Sequence, residues 1–222
     1  MSYAVAFVRD FTQSLITLFV LLNPIGAIPF FQGLTAEATQ EQKAAIAKRA
    51  TIIAIAVLMV FAYLGDIILG ALQITTYYVM IAGGVFILVF AVKDVVSSES
   101  QAHAESLTKK SKKVTGRVDE GVAVFPLAIP LLAGPGAIAT VMVLNNPQYG
   151  ALTGWTDFTT LLAIVVDCLI VWFLFSLSNR LMRFLKPSFM VITGKVMDIL
   201  MGAIGIAFLV HGAVAIFGIS LP

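Results

Sequence analysis

Charged residues are scarce in this sequence. Only 12% of its 222 residues are Asp, Glu, Lys or Arg, whereas 59% are hydrophobic and the mean hydropathy is +0.99. A soluble domain carries about twice that share of charge, roughly 25%, so the composition excludes an ordinary soluble protein. We expect the lipid bilayer, and not a nucleic acid, to be the partner of this chain.

Cysteine is almost absent. The single Cys168 excludes an intramolecular disulfide and any cysteine-rich metal site, and we expect it to pack as a small apolar side chain. Nothing in the sequence has the spacing of a metal site or a cofactor motif, so we expect neither a metal nor a cofactor.

Long apolar stretches, in contrast, occur six times. A helix needs about 20 apolar residues to cross roughly 30 Å of hydrocarbon. The six stretches run from Phe11 to Gly33, Ala50 to Leu72, Thr76 to Val92, Val122 to Leu144, Phe158 to Ser178 and Ile199 to Ile219. The sequence therefore predicts an all-α polytopic membrane protein with six transmembrane helices.

Basic residues are distributed unevenly between the connections. Of the 14 Lys and Arg residues, 13 follow the first, third and fifth stretches, and only Arg9 lies on the other side. Because short loops rich in Lys and Arg stay in the cytoplasm, we expect a multi-pass protein of the inner (plasma) membrane with both termini outside.

One long hydrophilic segment, 97–121, divides the chain and is expected to be a cytoplasmic linker. It separates two units of three spans, 1–96 and 122–222. At an offset of 110 residues, LLNPIGAIP (21–29) and LLAGPGAIA (131–139) share five of nine residues, and glycines recur in IAGGVFIL (81–88) and LMGAIGIA (200–207). A unit of three spans ends on the side opposite its start, so the halves are expected to be inverted repeats.

Both repeated motifs place helix-breaking residues inside an apolar stretch. Proline within a helix costs about 3 kcal/mol and glycine roughly 1, so helices 1 and 4 are expected to be broken, at positions that the count of residues puts near the bilayer midplane. The residues concerned are Asn23, Pro24, Gly26 and Pro29 in the first motif and Pro130, Gly134, Pro135 and Gly136 in the second.

A broken helix in a membrane exposes backbone groups that need polar partners. A half-helix that begins at Gly26 or Gly136 directs its N–H groups at an anionic group such as a carboxylate, and the preceding carbonyls suit an ammonium group. A small zwitterionic amino acid fits both ends, and Thr140 is in reach to add a hydroxyl. The alternative is a pair of kinked helices whose small residues serve only close packing.

The segments NPIGAIPFFQGLT (23–35) and PLAIPLLAGPGAIATVM (126–142) resemble the two signature segments of the MarC family of six-helix inner membrane proteins, also called UPF0056. That family includes SnatA-type neutral amino acid transporters. The resemblance covers essentially the whole chain. It implies an inverted-repeat fold related to LysE-type exporters, transport of glycine or alanine, and a central site lined by Asn23, Pro24, Gly26, Gly134, Pro135 and Gly136, with Pro29 and Pro130 at the helix breaks.

Ionisable residues inside a membrane are candidates for function. Asp167, near the middle of the fifth stretch, and Asp66, in the outer third of the second, are candidates to couple H⁺ or Na⁺ to transport. Asp198 follows Lys195 by three residues, a spacing that favours a local ion pair, so it is left out of the site.

The sequence predicts a secondary transporter that alternately exposes a midplane site. An exporter or channel for another small solute remains open, as does a membrane protein with a purely structural role. The polar and charged residues show no catalytic constellation, so we do not expect an enzyme.

Overall fold

A computed structural model describes residues 3–96, 123–146, 156–184 and 187–218. Every regular element in these ranges is a helix. Eight helices lie in these ranges: α1 (Tyr3–Leu22), α2 (Ala27–Leu34), α3 (Gln40–Leu72), α4 (Thr76–Val96), α5 (Ala123–Leu132), α6 (Pro135–Leu144), α7 (Thr156–Phe184) and α8 (Pro187–Phe217). No strand occurs among these residues, so the all-α class is confirmed for them. The linker expected at 97–121 lies outside the described residues.

In the part of the chain that the structure describes, five helices are long and apolar enough to cross a membrane: α1, α3, α4, α7 and α8. The stretch from 122 to 144, expected to be the fourth of six spans, instead contains the short helices α5 and α6, of 10 residues each. Neither is long enough to cross the hydrocarbon alone. For the described residues the structure therefore confirms a polytopic helical protein with five helices of spanning length, and the sixth span stays a prediction.

The helix α3 begins ten residues before the apolar stretch that predicts it. Thr39 explains this start, because its hydroxyl accepts a hydrogen bond from the Gln42 amide N–H at 3.3 Å while its own N–H donates to Gln42 Oε1 at 2.8 Å. This reciprocal pair satisfies two N–H groups that the first turn leaves unpaired. At 33 residues, α3 is about 50 Å long and extends beyond the hydrocarbon.

The helices α4 and α8 pack antiparallel along the whole length of α4. Near the middle their backbones touch: a Cβ on Gly84 would lie 2.7 Å from the carbonyl oxygen of Gly205. At one end, a Cβ on Gly212 would lie 2.9 Å from the carbonyl oxygen of Tyr77. At the other, Lys195 Nζ donates to the carbonyl oxygen of Val95 at 2.9 Å. The absence of side chains at the two central glycines permits this close approach.

The largest apolar core surrounds α7. Helices α1 and α3 both pack on α7, α3 also contacts α5, and α6 lies against α3 and α4. The short helix α2 is held to α7 by the stacked rings of Phe31 and Phe175, whose centroids are 4.5 Å apart. Both rings are fully buried. This packing places the two interruptions, between α1 and α2 and between α5 and α6, inside the helical bundle.

Candidate functional site

The first interruption separates α1 from α2 at residues 23–26, as the NPIG motif predicts. Asn23 has a positive φ of 40°, a conformation that asparagine tolerates better than most residues. Helical hydrogen bonding resumes four residues later, since Ala27 N–H donates to the Asn23 carbonyl oxygen at 2.9 Å. Pro24 is buried within the break. The chain thus turns inside the protein and resumes as a second, short helix.

The Asn23 side chain links this interruption to α8. Its Oδ1 accepts a hydrogen bond from Gly26 N–H at 3.2 Å, and its Nδ2 donates to Asp198 Oδ1 at 2.9 Å. Gly26 is required here because a Cβ would lie 2.7 Å from the Asn23 amide, and α8 passes so close that a Cβ on Gly194 would lie 3.4 Å from Gly26 Cα. Asp198 is buried, and the structure gives it a partner that the sequence spacing did not indicate.

The second interruption separates α5 from α6, as the GPG motif predicts. Gly134 is the extended N-cap residue, with φ −74° and ψ 168°, and Pro135 occupies the first helical turn, where its missing N–H costs nothing. The Ile138 N–H donates to the Gly134 carbonyl oxygen at 2.9 Å. Gly136 packs against α4, since a Cβ there would lie 2.6 Å from Ile87 Cγ1. The helix α6 therefore begins inside the bundle, with first-turn N–H groups that lack an intrahelical acceptor.

Two of the expected break residues do not interrupt a helix. Pro29 lies in the first turn of α2, where proline is tolerated because the N–H there has no intrahelical acceptor. Pro130 lies within α5, whose wider π-helical winding continues to the bond from Ala133 N–H to the Ala128 carbonyl oxygen at 2.8 Å. Both prolines thus lie in the short helices next to the interruptions, and their role at the breaks stays a prediction.

The two interruptions do not lie at the same depth. Gly26 is beside Gly194 of α8, whereas Gly136 is beside Ile87, which itself contacts Gly205 of α8. Gly194 and Gly205 are eleven residues apart on one helix, which corresponds to about 16 Å. The sequence count put both breaks at one level because it began the first span at Phe11, whereas α1 begins two turns earlier.

Partnerless polar groups lie in the core between α3, α6 and α7. Both carboxylate oxygens of Asp167 are buried and have no hydrogen-bond partner among the described residues, and the residue is only 1% exposed. The hydroxyl groups of Thr51, Thr140 and Thr160 are buried in the same way. Thr160 and Asp167 are seven residues apart and so share one face of α7. Each of these three neighbouring helices thus carries at least one buried polar group without a partner among the described residues.

Asp66 belongs to a different part of the molecule. It is exposed near the end of α3, and its Oδ1 accepts a hydrogen bond from Asn146 Nδ2 at 3.2 Å. Within the described ranges, no three His, Cys, Asp or Glu side chains lie close enough together to hold a metal ion. Among the described carboxylates inside the spans, Asp10, Asp167 and Asp198 are buried. Their position inside long apolar helices is the signal by which the sequence can reveal them.

Comparison with known proteins places the chain among integral membrane proteins. The profile described as MarC family integral membrane protein matches residues 8–217. The chain belongs to the MarC family. It is 32% identical over 202 residues to the UPF0056 membrane protein YhcE of Escherichia coli K12, with 91% of each chain covered.

Other MarC relatives extend to Gram-positive bacteria and archaea. The chain is 36% identical over 135 residues to the UPF0056 membrane protein YvbG of Bacillus subtilis, covering 61% of this chain and 63% of the relative. It is 32% identical to the UPF0056 membrane protein MJ1677 of Methanocaldococcus jannaschii, covering 88% and 92%. No solved structure matches it significantly. The protein is thus a multi-pass integral membrane protein of the MarC family, and its bacterial relatives indicate the inner membrane.

Proposed function

We propose that this MarC protein is a secondary transporter of small neutral amino acids such as glycine and alanine. The observation that carries the proposal is the Asp167 carboxylate, buried in a membrane-spanning helix with no partner for either oxygen among the described residues. A carboxylate at the centre of a membrane helix costs about 2.5 to 3.5 kcal/mol even on insertion scales. A stable protein retains such a group where a bound cation, proton or substrate amine satisfies it during the working cycle.

The two interrupted helices supply the complementary chemistry. Free N–H groups at the start of α6, after Gly134 and Pro135, attract an anionic group such as a substrate carboxylate. Thr140, one turn further along α6, adds a buried hydroxyl without a partner among the described residues. A carboxylate and helix N-terminal N–H groups are together the chemical complement of a zwitterion.

The first interruption contributes Asn23, Pro24 and Gly26 to the same working cycle. Because it lies about 16 Å from the second along α8, the two motifs can line one site only after one of the short helices moves. Asp167 is the proposed coupling residue for H⁺ or Na⁺. Asp66 is the weaker candidate, since it is exposed and already accepts a hydrogen bond from Asn146.

The helix contacts support two inverted repeats, α1 to α4 and α5 to α8. In this arrangement α1, α2, α3 and α4 are equivalent to α5, α6, α7 and α8. The contact of α1 with α7 is then equivalent to that of α5 with α3, and the contact of α6 with α4 is equivalent to that of α2 with α8. Equivalent helices in inverted repeats run in opposite directions, and α4 and α8 pack antiparallel. In this scheme α5 and α6, together with Ala133 and Gly134 between them, form the sixth crossing as one interrupted span.

The positions of basic residues support the proposed orientation. Lys43 at the start of α3 donates to Asn179 Oδ1 at 3.4 Å near the end of α7, and Lys195 of α8 donates to the carbonyl oxygens of Asp94 and Val95 at the end of α4. These basic residues therefore share one side of the bundle, which the positive-inside rule assigns to the cytoplasm. Arg9, near the start of α1, lies toward the opposite side.

The proposal is tested by counterflow of labelled glycine and alanine in proteoliposomes. We expect saturable exchange by the native protein, loss of exchange in Asp167→Asn, and native exchange in Glu41→Gln, which neutralises an exposed carboxylate at the start of α3. Asparagine has nearly the volume of aspartate, so the loss would reflect charge and not packing. Absence of exchange by the native protein for both amino acids, with a pH gradient and with sodium, would refute the proposed substrate.

A further inference from the structure

An amide side chain ties the end of α2 to two other helices. Gln32 Nε2 donates to Ser178 Oγ at 2.5 Å and to Asn179 Oδ1 at 2.6 Å, both near the end of α7. Lys43 Nζ, near the start of α3, donates to Gln32 Oε1 at 2.9 Å. We call these four residues the Gln32 latch. It joins α2, α3 and α7 and lies directly after the stacked pair Phe31 and Phe175 along the same two helices.

A corresponding arrangement ties the end of α6 to its neighbours. Asn145 Nδ2 donates to the carbonyl oxygen of Ala62 at 2.8 Å. Asn146 Nδ2 donates to Asp66 Oδ1 at 3.2 Å, near the end of α3, and to Thr76 Oγ1 at 3.0 Å, at the start of α4. We call these five residues the Asn146 latch. Like the Gln32 latch, it fastens the end of a short helix that follows an interruption.

The two latches lie on opposite sides of the membrane core. Lys43 and Asp66 are 23 residues apart on the continuous helix α3, a distance of about 34 Å that matches the roughly 30 Å thickness of the hydrocarbon. The partnerless groups of Thr51 and Asp167 lie on α3 and α7, between these ends. Each latch therefore lies toward one end of the core that contains these groups.

From this geometry we propose that the Gln32 latch and the Asn146 latch are the two gates of the transporter, released in turn by movement of α2 and α6. This inference rests on the proposed transport function. The short helices are suited to move because each is joined to its longer neighbour at a break, where a few residues can absorb changes in φ and ψ. Alternating access requires that one gate hold while the other opens, and the structure has both latches closed.

The native Cys168 is a built-in reporter for gate opening. It is the only cysteine in the chain, it is fully buried in α7, and it is ten residues from Ser178, about 15 Å along the helix. The experiment measures the rate at which a membrane-impermeant methanethiosulfonate reagent modifies Cys168 from each side of sealed vesicles of known orientation. A Cys168→Ala variant gives the background.

We expect Gln32→Ala to accelerate modification only from the Gln32 side, and Asn146→Ala only from the opposite side. The expected acceleration is about tenfold, the population change that corresponds to about 1.4 kcal/mol. Gln13→Ala, which removes an exposed amide from α1, is the matched control. If Gln32→Ala does not fold, Ser178→Ala removes one acceptor from the Gln32 latch instead. If Asn146→Ala does not fold, Thr76→Val removes one acceptor from the Asn146 latch.

The gate proposal would be refuted if Cys168 in folded latch variants were modified, from both sides, at the same rates as in the Gln13→Ala control. The labelling needs no substrate, so its result is independent of the counterflow assay. Sided labelling without exchange of glycine or alanine would retain the gates and refute the substrate class. Exchange without sided labelling would retain the transporter and refute these two gates.

Discussion

The backbone contact between Gly84 and Gly205 predicts an unusually large cost for a single methyl group. A Cβ on Gly84 would lie 2.7 Å from the Gly205 carbonyl oxygen and 3.0 Å from the Leu209 amide nitrogen. Both are backbone atoms of α8 and cannot rotate away, so α4 and α8 must separate. Overpacking of this kind costs about 1 to 3 kcal/mol. We therefore expect Gly84→Ala to destabilise the folded protein.

Gly202→Ala is the matched control on the same pair of helices. A Cβ on Gly202 would meet only the Ala91 Cβ, at an ordinary contact distance of 3.6 Å. Both substitutions gain the same helix propensity, roughly 0.5 to 1 kcal/mol, so this gain cancels in the comparison. The difference in free energy of unfolding between the two variants, about 1 to 3 kcal/mol, then isolates the helix contact. Gly136→Ala should lie between them, because the atom it meets belongs to the Ile87 side chain.

The measurement is reversible unfolding in bicelles, by steric trapping, for the native protein and the three variants. The order of stability should be Gly202→Ala, then Gly136→Ala, then Gly84→Ala. A Gly84→Ala protein as stable as Gly202→Ala would refute the close approach of α4 and α8.

Three other predictions follow from contacts of single side chains. Asn23→Ala leaves Asp198 buried without its amide donor, so we expect a loss of about 1 to 3 kcal/mol and a lower melting temperature in detergent; an unchanged melting temperature would contradict that contact. Phe31→Ala and Phe175→Ala should each lower the free energy of unfolding by about 3 to 5 kcal/mol, with a coupling of about 0.5 to 1.5 kcal/mol in the double-mutant cycle. Additive effects would contradict the stacking of the two rings. Thr39→Ala should cost about 1 kcal/mol whereas Thr39→Ser should cost little, and equal effects would exclude capping.

The interruptions were predictable from the sequence because their cause is local. Pro24 and Pro135 constrain their own backbone, and glycines beside them complete the break, so no distant partner is needed to predict it. Helix ends were less predictable. The capped start of α3 is polar and lies outside the apolar stretch, so a hydropathy count misses it. The helix α8 begins at Pro187 and residues 189–192 are apolar, but Lys195 and Asp198 separate them from the stretch that starts at Ile199.

Contacts between distant residues were not predictable in this way. Gln32 and Ser178 are 146 residues apart, and Asn23 and Asp198 are 175 apart, so no spacing in one sequence indicates either pair. The repeated glycines of the third spans likewise did not indicate that the backbones meet at Gly84 and Gly205. The sequence does show that Gln32 and Asn146 are polar residues next to apolar stretches. This indicates where they lie but not which residues they contact.

The antiparallel pairing of α4 and α8 has a consequence for the covalent connection between the halves. The pairing extends from Tyr77 and Gly212 to Val95 and Lys195, and it holds the two halves together independently of the peptide chain that joins them. A protein synthesised as two pieces, 1–96 and 122–222, should therefore assemble in the membrane by fragment complementation. The intervening segment would then be a permissive place for a fluorescent or affinity tag.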